Sequence, residues 1–281
     1  MFAQDEIRFN PATHQYFNKE NVEYTSVTRL LKGLQIPFDR EGMSTRMAQS
    51  IAADTGIPFE QAKRELLSEW EEKKNSSIVK GDYVHDGLEK YTLTGEVVEA
   101  MEKPVAFLQN LLKEYYRFYP EVILHSHKYK IAGRSDLVLQ RQKNKSPVFD
   151  ITDYKTNESK GICFDSISRK DGVKHFNKFL LPPFDYLEDC NYVIYSLQLS
   201  IYAFMIMERY GHRIGKLSLI YFDNQFNPFP IPIPFMYQEA KMICEMNIER
   251  KKLPEIHESE YINVTGVRNS FNVNKFKDDW D

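Results

Sequence analysis

From Tyr192 to Tyr210 the chain is apolar at nearly every helical position, and Gly211 stands at the C′ position that ends such a helix. A helix that is apolar all round has to be buried, so the rest of the chain must cover it. Gln198 and Tyr202 are the exceptions that matter. They sit at i and i+4, on one face, and polar atoms inside a core need hydrogen-bond partners. Two readings stand for the pair: a structural hydrogen bond in the core, or a bridge to a functional site or a substrate backbone.

The segments around this helix change type along the chain. Residues 7–24 read as a hairpin, Ile7-Arg8-Phe9 against Gln15-Tyr16-Phe17, turning at Asn10-Pro11. Thr25 or Ser26 is placed to cap a short helix through Leu34. Residues 44–55 read as a helix stopped by Gly56, and another follows Pro58. Ser76 or Ser77 is expected to start a further helix to about Thr92. Pro104 is expected to start the next, through Phe118 to a stop at Pro120. Three successive strands follow: Val122 to Lys130, Arg134 to Gln140 and Val148 to Thr156. Residues 157–191 are polar and irregular. Beyond the buried helix lie strands at Leu217 to Phe222 and Phe229 to Ile233, then an amphipathic helix from Phe235 to Arg250. This order predicts an α/β fold, a mixed sheet with helical cover rather than a doubly wound repeat. The expected organisation is a hairpin and helical extension over 1–75, a core over 76–250 and a polar tail over 251–281.

Charge and cysteine content remove several classes of function. Lys+Arg is 37 and Asp+Glu is 40, for a formal net charge of -3. A general nucleic-acid coat protein should be strongly basic, whereas an enzyme needs only a local basic groove. The longest strongly apolar run, Ile201 to Met207, falls far short of the ~20 residues of a membrane span. The start, Met-Phe-Ala-Gln-Asp-Glu, has neither the basic nor the apolar region of a secretory signal. Cys163, Cys190 and Cys244 show no CxxC spacing, so neither a zinc site nor a disulfide framework is expected, and a reducing cytoplasm is the expected setting. No phosphate-binding G-x-x-x-x-G-K-[ST] loop is present, since Gly211 to Lys216 misses the spacing, so no ATP site is expected.

The chemistry-bearing residues concentrate in 133–155, Gly133-Arg134-Ser135-Asp136 followed by Asp153-Tyr154-Lys155. On a strand, i and i+2 share a face roughly 6–7 Å apart, so Asp153 and Lys155 project together, with Asp136 able to lie opposite on the preceding strand. Two carboxylates suit Mg²⁺, a hard cation that favours oxygen. With an ammonium beside them the set suits phosphodiester hydrolysis, in which the lysine orients or deprotonates water or stabilises the transition state. A bare D-x-K can equally be a cross-strand salt bridge. The apolar flanks, Val148, Phe149 and Ile151 on one strand and Leu137 to Leu139 on the other, place these charges near buried strand ends. His85 and Glu89 share a helix face at i and i+4, either as an exposed pair or facing a site. His125 and His127 alternate with Ser126 and read as an exposed strand face.

Taken in order, Gly81 to Glu89, Gly133 to Asp136, Asp153 to Lys155, and Tyr195 to Tyr202 with its Q-x-x-x-Y resemble the PD-(D/E)XK nuclease superfamily, in its RecB-type and phage-exonuclease branch. The resemblance covers about residues 76–222. It implies an αβββαβ restriction-endonuclease-like core flanked by helices, with Mg²⁺ or Mn²⁺ as cofactor. Asp136, Asp153 and the Tyr154 carbonyl would be metal ligands, with His85 a further ligand or a water-bridged neighbour. Lys155 would be the catalytic lysine, with Gln198 and Tyr202 completing the site. Some relatives carry a four-cysteine iron–sulfur cluster, which three cysteines cannot hold.

In residues 157–180 the cations Lys160, Arg169, Lys170, Lys174 and Lys178 interleave with His175, Phe176 and Phe179. Directly after Lys155, this mixture suits phosphate neutralisation and base stacking, although an ordinary solvated loop has the same composition. The implied activity is a metal-dependent deoxyribonuclease, an exonuclease of phage or bacterial recombination, repair or replication. Its partner is DNA, with a single-strand annealing protein or helicase as a further one and no membrane. The alternatives are a site-specific endonuclease and a non-catalytic DNA-binding or assembly module.

Overall fold

The computed structural model describes residues 2, 6–142, 147–157, 161–166, 168–170, 173–176 and 178–252. The strands are β1 (Ile7–Asn10), β2 (Gln15–Asn18), β3 (Glu23–Ser26), β4 (Arg117–Ser126), β5 (Ile131–Gln140), β6 (Val148–Lys155), β7 (Ser168–Lys170), β8 (Val173–Phe176), β9 (Arg213–Phe222) and β10 (Pro228–Ile233). The helices are α1 (Val27–Lys32), α2 (Arg40–Thr55), α3 (Phe59–Thr94), α4 (Glu102–Leu112), α5 (Asn191–Tyr210) and α6 (Tyr237–Lys252). Eight strands form one mixed sheet in the order β1-β2-β3-β5-β6-β9-β10, with β4 paired to β5, and β7 and β8 make a separate hairpin. The expected α/β sheet with helices on it is the architecture observed.

β5 organises this sheet. Along one edge it pairs antiparallel with β4, from Ser126↔Ile131 to Arg117↔Gln140. Its other edge is divided. Leu137 to Gln140 pair antiparallel with β6, whereas Ile131 and Ala132 pair parallel with β3. Between them, Gly133 to Asp136 have no strand on that edge among the described residues. β5 is therefore forked, and backbone groups at the fork need partners other than a ladder.

Strand alternation sorts the core into two layers. Val138, Phe149, Ile151, Leu217 and Leu219 pack with α5, α6 and α1. Leu137, Leu139, Tyr154, Ile220 and Phe222 pack with α3 and α4 on the opposite face. α5 is covered as its composition requires, with Leu197, Leu199, Ile201, Ala203 and Ile206 wholly buried. Gly211 ends it at φ +64° with its N–H on the Met207 carbonyl, the left-handed cap glycine permits.

Four expectations differ from the structure. No new helix starts at Ser76 or Ser77: α3 runs unbroken from Phe59 to Thr94. No proline interrupts that span, and exposed pairs such as Glu69–Lys73 and Glu71–Lys74 support its middle. The helix from Pro104 stops at Leu112 rather than Phe118, because the run from Tyr115 to Tyr119 is aromatic and strand-prone. Pro120 thus lies inside β4. It is tolerated there because β4 has β5 on one side only, so a missing N–H can face the open edge. The strand following it ends at Ser126 rather than Lys130. His125 is wholly buried rather than exposed, since Glu6 and Arg209 close over it.

Gly133 marks the closest approach of α5 to the fork. A Cβ there would lie 2.6 Å from the Tyr202 ring and 3.0 Å from the Val27 side chain. Gly133→Ala is expected to destabilise the fold by about 1–3 kcal/mol, the usual scale of overpacking. In a Tyr202→Leu background much of that cost should vanish, with coupling of about 1 kcal/mol in a urea-denaturation double-mutant cycle. Additive costs would show that the ring does not set the constraint.

Candidate active site

The fork creates a place that both helical layers reach. Asp136, on β5, is buried, and its Oδ2 accepts the Tyr154 N–H at 2.6 Å. The carboxylate thus satisfies a β6 N–H just past the point where the β5–β6 ladder ends. From α3, His85 brings Nδ1 to 3.3 Å from Asp136 Oδ1, with its ring edge-on to Tyr154. The histidine therefore faces the sheet rather than pairing with Glu89. From α5, Tyr202 donates its hydroxyl proton to the Arg134 carbonyl at 3.0 Å and accepts from Gln198 Nε2 at 3.2 Å. The Gln198–Tyr202 pair is thus a core hydrogen bond that also ties down β5 two residues before Asp136. Gln198, Tyr202, His85 and Asp136 all line a cavity of about 270 Å³.

Glu121 also belongs to this group, although nothing in the residue pattern singles it out. In β4 the paired positions run to Pro120↔Leu137 and resume at Val122↔Ser135, which leaves Glu121 facing Asp136 outside the ladder. Glu121 adopts φ +48°, a left-handed conformation uncommon for a non-glycine residue within a strand. Its carboxylate consequently turns toward the fork. One ligand atom each from His85, Glu121 and Asp136 lies within 4.8 Å of the others. Arg134 Nε is 2.7 Å from Glu121 Oε2, yet that oxygen is buried without a hydrogen bond of acceptable angle.

Asp153 and Lys155 lie beside this cluster. Asp153 is buried and its Oδ2 accepts from Lys155 Nζ, which sits 4.7 Å from the Tyr195 ring centroid. In this state the Asp153 carboxylate is engaged by the ammonium, and the compact three-ligand group does not include it. Of the loop cations, Lys178 lines a different groove, of about 1100 Å³, with Ile36, Phe38 and Phe179. The backbones of Arg169, Lys170 and Lys174 lie in the β7–β8 hairpin, but their side chains, and Lys160 altogether, fall outside the described residues.

The site concentrates carboxyl groups. Burial pushes Glu121 up to about 8, aided by the charge of Asp136, and Asp153 up to about 6 for the same two reasons. Burial would also raise Asp136, but the charges of His85 and Lys155 and the Tyr154 N–H hold it below its ordinary value. Burial works against the His85 imidazolium, but Asp136 outweighs it and raises this histidine to about 9. Lys155 is likewise raised despite burial, by Asp153 and Asp136. A divalent cation fits this donor set: it would relieve the repulsion among the acids and occupy the unsatisfied Glu121 oxygen.

No family model and no curated relative matches the chain. Among solved structures, a protein named SSO0001 is 15% identical, with 82% of this chain and 77% of that chain covered and a TM-score of 0.32. A protein from Eubacterium rectale, whose structure carries the name "Putative exonuclease", is 17% identical, with 81% and 79% covered and a TM-score of 0.35. Overlap at this level identifies neither a family nor an activity, and the functional reading rests on the geometry above. No helix among the described residues is long and apolar enough to cross a membrane.

The pKa directions set a pH dependence for the metal-free protein. His85, raised above its unfolded value of 6.5, contributes stability that is complete below about pH 6.5 and lost as pH rises through about 9. Glu121, raised from 4.5, imposes a cost that builds as pH rises above about 4.5 and is complete above about 8, in the same direction. The metal-free protein should therefore be less stable at pH 9 than at pH 6.5, by on the order of 2 kcal/mol in urea titrations with EDTA. Glu121→Gln, which cannot ionise, should shrink that difference. A variant that shows the full loss would remove Glu121 from the cluster.

Proposed function

We propose that this chain is a divalent-metal-dependent nuclease that hydrolyses phosphodiester bonds in DNA. The observation that carries the reading is the convergence of His85, Glu121 and Asp136 at the fork of β5, next to the buried Asp153–Lys155 pair. The arrangement accords with the PD-(D/E)XK resemblance of the motifs and adds Glu121 to it. The more specific reading is an exonuclease of phage or bacterial recombination, repair or replication.

In this reading Glu121, Asp136, Asp153 and the Tyr154 carbonyl would hold Mg²⁺ or Mn²⁺, with His85 a further ligand once its proton is lost, or a water-bridged neighbour. When bound, the ion supplies Lewis-acid polarisation of the phosphate and lowers the pKa of a nucleophilic water. Asp153 would be one of the ligands, and Lys155, whose ammonium contacts its carboxylate, lies beside it. Lys155 would orient or deprotonate the water, or donate to the negative charge developing on the phosphate. Gln198 and Tyr202 act through Arg134 as positioning residues, holding β5 and with it Asp136. Basic side chains after Lys155 would lead the DNA backbone to the site.

Linear duplex or single-stranded DNA should be degraded with Mg²⁺ or Mn²⁺ and left intact with EDTA, and closed circular DNA should survive. Asp136→Ala, Asp153→Ala and Lys155→Ala should each lower the rate by about 10³-fold or more while DNA binding persists. The Asp136→Ala/Asp153→Ala double variant should be little worse than either single, since the groups act as a unit. Full activity in Asp153→Ala would end this reading, and metal-independent DNA binding without cleavage would favour an assembly module. His85→Ala should reduce preference for Mn²⁺ over Mg²⁺, because imidazole suits transition metals better than it suits Mg²⁺.

A further inference from the structure

At the far end of β4 from the fork, a second group of ligand-bearing side chains converges. His125 lies on this strand and His127 just past its end, with ring centroids 4.8 Å apart, and Glu6 reaches them from the N-terminal segment. Glu6 Oε2 is 2.7 Å from His127 Nε2 and 3.5 Å from His125 Nε2. One atom of each residue lies within 4.8 Å of the others. His125 is opposite Ala132 in the ladder, whereas Glu121 faces Asp136 four residues away, roughly 13 Å along the strand. The two groups are separate.

The state of His125 is the independent observation. The residue is 0% exposed, and neither of its ring nitrogens has a hydrogen-bond partner among the described residues. Its contact with Glu6 lacks hydrogen-bonding geometry. A buried imidazole usually satisfies at least one nitrogen, and leaving both unpaired costs free energy. Glu6 Oε2 also accepts hydrogen bonds from His127 and Arg209.

We propose that Glu6, His125 and His127 form a second metal site, for a transition-metal cation of the zinc class. Two imidazoles and one carboxylate are a common ligand set for Zn²⁺, with a fourth position left to solvent. Ligand atoms about 2.0–2.2 Å from an ion lie about 3.3–3.6 Å apart in a tetrahedron, and the Glu6–histidine separations of 2.7 and 3.5 Å are on that scale. His127 carries an orienting partner: its Nδ1 is 2.6 Å from the Tyr24 hydroxyl on β3. In the metal-free state Nε2–H can donate to Glu6 while Tyr24 donates to Nδ1. Binding shifts the ring to its other tautomer with no net proton release, Nε2 coordinating, Nδ1–H donating and the hydroxyl rotating to accept. Arg209, with NH2 2.6 Å from Glu6 Oε2, places a competing positive charge here. The site should therefore be weaker than a closed structural zinc site. An ion here would join the N-terminal segment to β4, a different task from the chemistry at the fork.

The test uses the full-length chain carrying Asp136→Ala and Asp153→Ala, which removes the first site. Titration with Co²⁺ should give one equivalent with visible d–d absorption of low coordination number, displaced by Zn²⁺. Zn²⁺ at about 100 times its Kd should raise the melting temperature by about 5 °C or more. In this background Glu6→Gln and His127→Gln, both at solvent-accessible positions, should each weaken Co²⁺ binding by at least tenfold. Tyr24→Phe should weaken it by about tenfold, the lower end for loss of an orienting partner. Because buried His125→Ala can simply fail to fold, the two accessible variants carry the decision. Absence of Co²⁺ absorption, or unchanged binding in both Glu6→Gln and His127→Gln, would overturn the proposal. Nuclease activity plays no part in any of these readouts.

Discussion

The hydrogen bond from the Tyr154 N–H to the Asp136 carboxylate is the contact on which the site depends. β5 loses a strand partner along Gly133 to Asp136, and exposed backbone groups inside a core would be costly. Asp136 answers on the β6 side, and Tyr202 answers at the Arg134 carbonyl. Both side chains are thus fixed by the demand for backbone satisfaction. The same demand places a carboxylate at an opening in the sheet, where His85 from one helical layer and Gln198 from the other can reach it. Close approach of the Tyr202 ring is possible only because residue 133 has no side chain.

Around that bond the protein holds more negative charge than its stability favours. Glu121, Asp136 and Asp153 sit within one largely buried region, and two of the three have raised pKa values. Their partners, His85, Arg134 and Lys155, are positioned to offset the repulsion, although an oxygen of Glu121 stays without a proper hydrogen bond. Buried ion pairs add little net stability, because desolvation offsets the attraction. A cluster of this kind is explained better by what it can bind than by what it contributes to folding. The second cluster differs in kind: there a wholly buried imidazole is unpaired, and one carboxylate is shared among an arginine and two histidines.

The N-terminal hairpin takes part in both places. Phe9 and Tyr16 line the cavity at the fork, and the guanidinium of Arg134 stacks over Phe9 at 5.3 Å. Tyr24 on β3 orients His127, while Glu6 immediately precedes β1. Since β3 pairs with the start of β5, the same short ladder divides the edge of β5 and sets where the fork begins.

What the sequence determined by itself is the part governed by local pattern. The apolar helix closed by Gly211, the strand runs around Asp136 and Asp153, and the shared helix face of Gln198 and Tyr202 all follow from side-chain periodicity and cap chemistry, which act over a few residues. The grouping of Asp153 with Lys155 was legible for the same reason, since a strand repeats every two residues. Tertiary structure alone decided the rest. Glu121 enters the site through a left-handed backbone conformation at a ladder gap, a property that no residue type announces. The continuity of α3 past Ser76 and Ser77 depends on the absence of any stronger breaker and on what the helix packs against. His125 alternates like an exposed residue, yet it is buried because Glu6, far away in sequence, and Arg209 on α5 cover it. Contacts between distant segments leave no mark on local pattern, so the charge environment of the candidate site could be read only after the chain had folded.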